Sequence, residues 1–321
     1  MNTSHPAGPV AAAAVAARLD SADTLDALRL ELTALADGWE TTSPAVAART
    51  LYDLEARAHV LSAGVRNADA AAAWAHLRCQ VYVMESQSLI DLGRPRDAYQ
   101  SADAALKLAA ALHDPATQAH AETLAATVAR QAHAPANPAR LLTAACDRAG
   151  GSYGSAIART WRAVIVARSG AVAGRQLMDA VTSAEAADLG TGRTGFALGG
   201  WDPVCRDAQL GAALAATGLR GPARERLDRA AAATGPGADG TLVAPRLHAL
   251  VLIYRAQSAA AAGDLDEARQ LVGQAFAAAA GLPSAQLAAG ALRIAVRAEA
   301  RGEDWSDIRA TTDGIGLALS A

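Results

Sequence analysis

The stretch "DLGTGRTGFALGGWDP" (188–203) places Gly190, Gly192 and Gly195 in a G-x-G-x-x-G spacing. In a strand-to-helix turn that spacing lets the backbone approach a dinucleotide pyrophosphate. The chemistry needs a strand before the first glycine and a helix opening at the last. Here "GRQLMDAVTSAEAADL" (174–189) precedes the glycines with helical periodicity and "FALGG" follows them, so the spacing predicts a connection between helices and no cofactor. At 190–201 that connection is long for its kind, and it carries Phe196 and Trp201. A mobile flap over a groove is therefore its second reading.

Metal and nucleophile chemistry have weaker footing. His76 stands three residues before Cys79, close enough for one helical face, while His113 and His120 flank an expected turn at Asp114-Pro115. Neither pair has a third ligand at a recognisable spacing, so no metal is expected. No G-x-S-x-G nucleophile elbow is expected where no strand leads into a helix, and H-E-x-x-H and P-loop frames do not occur in the sequence.

Binding chemistry is better represented. Trp74, Arg78, Tyr82 and Glu85 fall at i, i+4, i+8 and i+11 of one helical stripe. Arg159 and Arg162 share a face beside Trp161; Trp201, Asp202 and Arg206 open a later helix, and Arg246 starts another. Guanidiniums that grip a carboxylate or phosphate bidentately, next to aromatic faces that stack, suit a small anionic-aromatic ligand. A protein or peptide partner suits the same residues, and a homodimer stays open. The competing reading of each stripe is a solvated helix face or an aromatic plug between helices.

The elements that carry these residues are helical. Apolar residues make up 52% of the 321, aromatics only 4%, and the excess is alanine, the strongest helix former. Apolar periodicity predicts helices over 22–37, 44–63, 67–92, 95–112, 115–132, 138–149, 152–168, 171–189, 202–217, 222–234, 243–262, 264–280, 284–301 and 304–319. Paired in order, they form about seven hairpins. A repeated register marks several of them: Gly93/Ala98, Gly218/Ala223 and Gly263/Ala268 each put an alanine five residues after a glycine, and Gly170/Arg175 is a looser copy. Glycine ends one helix through positive φ, and the small residue lets the next pack closely. The spacing from Gly218 to Gly263 exceeds the 34-residue tetratricopeptide unit, so an irregular tetratricopeptide-like right-handed superhelix is expected over 22–321. Residues 1–21 are expected to be a flexible or short helical extension.

A net charge of −3, with arginines and acids interleaved and Lys107 the lone lysine, leaves no basic stripe for a phosphate backbone, so no direct nucleic-acid partner is expected. Cys79, Cys146 and Cys205 are odd in number and far apart, which fits a reducing, cytoplasmic setting. "PVAAAAVAA" (9–17) lacks the basic n-region of a signal peptide, and no apolar run is long enough to span a bilayer.

Four stretches carry a family resemblance. "LDALRLELTALADGW" (25–39), "MESQSLIDLGRPRDAYQSADAALKLAAALHD" (84–114), "WDPVCRDAQLGAALAATGLRGPARERLDRA" (201–230) and "APRLHALVLIYRAQSAAAAGDLDEARQLVGQAF" (244–276) resemble the C-terminal sensor region of actinobacterial helix-turn-helix regulators with tetratricopeptide-like repeats. The resemblance implies a non-enzymatic, cytoplasmic regulatory module that binds a ligand or peptide in a concave groove. Those regulators carry DNA-binding helices ahead of the sensor, whereas here "MNTSHPAGPVAAAAVAARLD" precedes the first sensor-like helix, so DNA reading through that module is not expected. The alternative is an enzyme of specialised metabolism with an Arg/acid-lined groove. An open aromatic-rimmed groove favours the binder, and a deep cavity holding a carboxylate of raised pKa favours the enzyme.

Overall fold

The computed structural model describes residues 22–134, 137–150, 153–168, 174–187, 189 and 202–320. Helix accounts for 81% of them, and no strand occurs among them beyond an isolated bridge between Pro236 and Leu242. In chain order the helices are α1 (Ala22–Asp37), α2 (Pro44–Ser62), α3 (Ala68–Asp91), α4 (Pro95–Leu112), α5 (Pro115–Ala132), α6 (Pro138–Arg148) and α7 (Tyr153–Arg168). There follow α8 (Gly174–Glu185), α9 (Pro203–Ala216), α10 (Arg220–Thr234), α11 (Pro245–Ala262), α12 (Leu265–Ala278), α13 (Ala285–Glu299) and α14 (Ser306–Ser320). The chain is all-α, as its periodicity predicts.

Local chemistry explains where these helices begin and end. Side chains of Ser43, Asn67, Asp114, Asn137, Asp202 and Asp264 accept from the first-turn amides of α2, α3, α5, α6, α9 and α12. Helix α10 starts at Arg220, two residues ahead of the expected 222, because Pro222 lies in a first turn whose amides need no intrahelical acceptor. Gly93, Gly218 and Gly263 have φ of 72°, 81° and 93°, and Ala98, Ala223 and Ala268 are each 0% exposed. The Gly-turn-Ala register thus closes three hairpins. Gly170, the glycines of 190–201 and residues 1–21 lie outside the described residues.

Packing follows two rules. Each helix rests on its chain neighbour in the pairs α3/α4, α5/α6, α7/α8, α9/α10, α11/α12 and α13/α14. The first members also touch one another, α3 on α5, α5 on α7, α7 on α9, α9 on α11 and α11 on α13. Glycines permit two of these approaches: a Cβ on Gly154 of α7 would sit 2.6 Å from the Ala116 carbonyl oxygen of α5, and one on Gly290 of α13 would sit 2.5 Å from Ile253 of α11. The set then returns on itself, because α13 touches α3. Six helices form a closed circuit, with the remaining helices packed around it.

Candidate functional site

All six helices of the circuit contribute to one chamber of about 410 Å3, inside the roughly 300–1,000 Å3 range of small-molecule sites. Its apolar wall comprises Ile90, Val128, Val204, Leu250 and Leu287, with Trp161 from α7 and Trp39 from the α1–α2 connection. Gln87, Gln131, Gln209, Gln286 and Thr127 place amide and hydroxyl groups among them. Neutral hydrogen-bonding groups set in an apolar wall can orient a ligand without demanding a charge on it.

One side of the chamber is also the seam that closes the circuit. Asp91, at the end of α3 and 6% exposed, accepts hydrogen bonds from Arg246 of α11, from Ser284 Oγ at 3.1 Å and from Gln286 Nε2 at 2.9 Å. Arg246 also donates to the Trp39 carbonyl oxygen at 2.9 Å and stacks 4.8 Å from the Trp39 ring centre. Helix α11 lacks a local side-chain cap at Ala244, and Glu40 supplies one from across the seam by accepting from the Leu247 amide at 2.9 Å. Burial pushes the Glu40 carboxyl above its ordinary value, and the Leu247 amide and Arg246 oppose that shift without cancelling it.

The sequence-predicted residues divide among several places. Arg246 and Asp202 line the chamber, Asp202 also capping α9 through Val204 N at 2.7 Å. Trp74 is 2% exposed, packed with Leu32, Leu51 and Leu54 as an aromatic plug. Arg78 and Tyr82 turn toward α2 and share Glu55 Oε1 at 2.7 and 2.8 Å, while Glu85 accepts from Ser101 of α4 at 2.9 Å. That stripe is a seam between α3 and its flanking helices. Arg159 and Arg162 border a separate depression between α7 and α8, and Arg206 donates to the Glu185 carbonyl oxygen at 3.4 Å. Trp201 lies outside the described residues. Of the nine that are described, the structure brings two, Asp202 and Arg246, to the chamber, together with Trp161.

Trp39, Glu40, Asp91 and Gln209 were not singled out by spacing. Asp91 had a signal, an acid between Ile90 and Leu92 in an otherwise apolar run; Glu40 had none, because its partner lies 207 residues away. His76, Cys79 and His120 do meet, around Thr117 and Tyr153. Among the described residues no three His, Cys, Asp or Glu side chains gather as metal ligands would. Burial pushes the Cys79 thiol up to about 12, and raises those of Cys146 and Cys205, so none is poised as a thiolate. No described helix is long and apolar enough to cross a membrane. No protein-family model and no curated protein matches the chain.

Proposed function

We propose that this chain is a non-enzymatic binding module of sensor type, an irregular tetratricopeptide-like right-handed superhelix drawn into a ring, which takes a small molecule into its central chamber. The observation that carries this reading is the convergence of all six circuit helices on one cavity of about 410 Å3 walled by two indoles and several amides. Its bounded volume favours a small molecule over an extended peptide. The charge of Arg246 is matched by Asp91, while Asp202 caps α9 and Glu40 caps α11, so a largely apolar ligand whose hydrogen bonds are met by Gln87, Gln131 and Gln209 suits the chamber. Such a ligand stabilises the seam as it binds, which couples occupancy to the fit between the two ends of the circuit. The experiment is denaturing extraction and mass spectrometry of the purified chain beside Val128→Trp, which fills the chamber. A compound retained by the parent and lost in the variant supports the reading; no compound in either, with no thermal stabilisation by a library of apolar molecules, overturns it.

One observation favours the enzymatic alternative, namely the raised Glu40 carboxyl at the chamber wall. Its oxygen is engaged by the Leu247 amide, which assigns it to closing the seam. Glu40→Gln separates the readings: a general acid or base loses turnover while ligand is still bound, whereas a closing residue changes stability and affinity together.

A further inference from the structure

The sign of the charge around the chamber narrows what it takes. Four carboxylates, Asp37, Glu40, Asp91 and Asp202, line it against one guanidinium, Arg246, with no lysine or histidine among the described lining residues. Arg78, Arg159, Arg162 and Arg206, which in sequence suit an anion, are not among those residues. Arg246 is already engaged: it pairs with Asp91, donates to the Trp39 carbonyl oxygen and stacks on the Trp39 ring. Asp91 in turn has both oxygens occupied, by Arg246 on one and by Ser284 and Gln286 on the other. That leaves Asp202 and Glu40, with which Arg246 forms no ion pair.

Both remaining carboxylates cap helices, Asp202 Oδ1 accepting from Val204 N at 2.7 Å and Glu40 Oε2 from Leu247 N at 2.9 Å. A carboxylate accepts through two oxygens, so a cap leaves it capacity for a further donor. The two share one side of the chamber: Cys205, between them on the wall, feels both charges, and it packs with Trp161 on Ala156, Ile157 and Ala187. Burial disfavours the Glu40 charge more than Leu247 and Arg246 restore it, a deficit that a ligand cation makes good. Trp39 shows how an indole here holds a cation, with Arg246 4.8 Å from its ring centre; no guanidinium covers Trp161 among the described residues. Gln209, 8% exposed on the same wall, accepts from the Tyr254 hydroxyl through Oε1 at 3.5 Å, and its Nε2 has no acceptor among the described residues. A ligand oxygen completes such an amide.

Resting on the reading of the chamber as a small-molecule site, we propose that its ligand is an apolar amine, one quaternary or protonated nitrogen on an apolar body, held by Asp202 and Glu40 beside the Trp161 ring. Equilibrium dialysis of the full chain with three benzoyl compounds tests the charge: benzoylcholine, its uncharged carbon isostere 3,3-dimethylbutyl benzoate, and the anion hippurate. Benzoylcholine is expected to bind at least about tenfold more tightly than either of the others. Asp202→Asn keeps the cap on α9, because asparagine caps as well as aspartate. It is expected to cut benzoylcholine affinity at least about tenfold and to leave the isostere's affinity unchanged. Trp161→Leu, which removes the ring, is expected to reduce the preference for the cation and serves should Asp202→Asn fail to fold. Asp266→Asn makes the same charge change on the first turn of α12, outside the chamber, and is expected to change neither affinity. The isostere or hippurate binding as tightly as benzoylcholine overturns the amine, and so does a preference for the cation that both site variants keep. In either case, loss of the binding in Val128→Trp still upholds the chamber as the site. Binding of none of the three also overturns the amine, and the chamber reading then rests on the extraction result alone.

Discussion

Burial decides the behaviour of individual side chains here more than sequence spacing does. His120, 4% exposed and edge-on to Tyr153 at 6.0 Å, is held neutral with its pKa pushed down to about 3 by loss of hydration. The unfolded chain takes up a proton near pH 6.5 and the folded chain does not, so this residue's contribution is complete above 6.5 and is lost as pH falls toward 3. The slope is about 1.4 kcal/mol per pH unit. Urea denaturation between pH 7 and 5 is therefore expected to show falling stability, less steeply by nearly one proton in His120→Gln. Arg78 makes a second residue-scale case. Its guanidinium is bound to Glu55, so Arg78→Ala is expected to lower stability by about 1–3 kcal/mol. It should leave retention of a chamber ligand unchanged; weaker retention at parental stability would return Arg78 to a binding face.

At the scale of elements, helix spacing rests on glycine and alanine. Gly154 and Gly290 lie where a neighbouring helix leaves no room for a Cβ, with Ala116 backbone against the first. Gly154→Ala is expected to cost about 1–3 kcal/mol, since backbone cannot rotate aside as a side chain can. Gly273 is the contrast: it lies in exposed surface of α12 with nothing within 4 Å of an added Cβ, so Gly273→Ala should stabilise by about 0.5–1 kcal/mol. Equal melting temperatures for these two variants would show that glycine sets no helix distance here.

For the whole molecule, the seam decides whether the helices make a ring or an open array. Asp91 is buried there with Arg246 and Glu40 half-buried beside it, and removing either Asp91 or Arg246 leaves the other's charge without its ion-pair partner. Arg246→Ala is expected to cost about 3–5 kcal/mol by leaving Asp91 buried and unpaired. Hydrogen exchange should show the loss first at the α1–α2 connection and the start of α13, the elements the seam joins. Protection lost evenly along the chain would mean that circuit closure contributes little to order.

The amino-acid sequence by itself determined the helices, their approximate ends and the Gly-turn-Ala hairpins, because periodicity, capping side chains and positive φ act within a few residues of one another. It could not place Trp74, whose stripe of aromatic and charged neighbours reads equally as groove or seam until the flanking helices are in position. Nor could it pair Glu40 with Leu247 or Asp91 with Arg246, contacts that span 207 and 155 residues. Small rotations between successive helix pairs add up along the chain, and local sequence says little about their sum. Only the tertiary structure decided that α13 returns to α3, and with it where the chamber lies and which side chains face it.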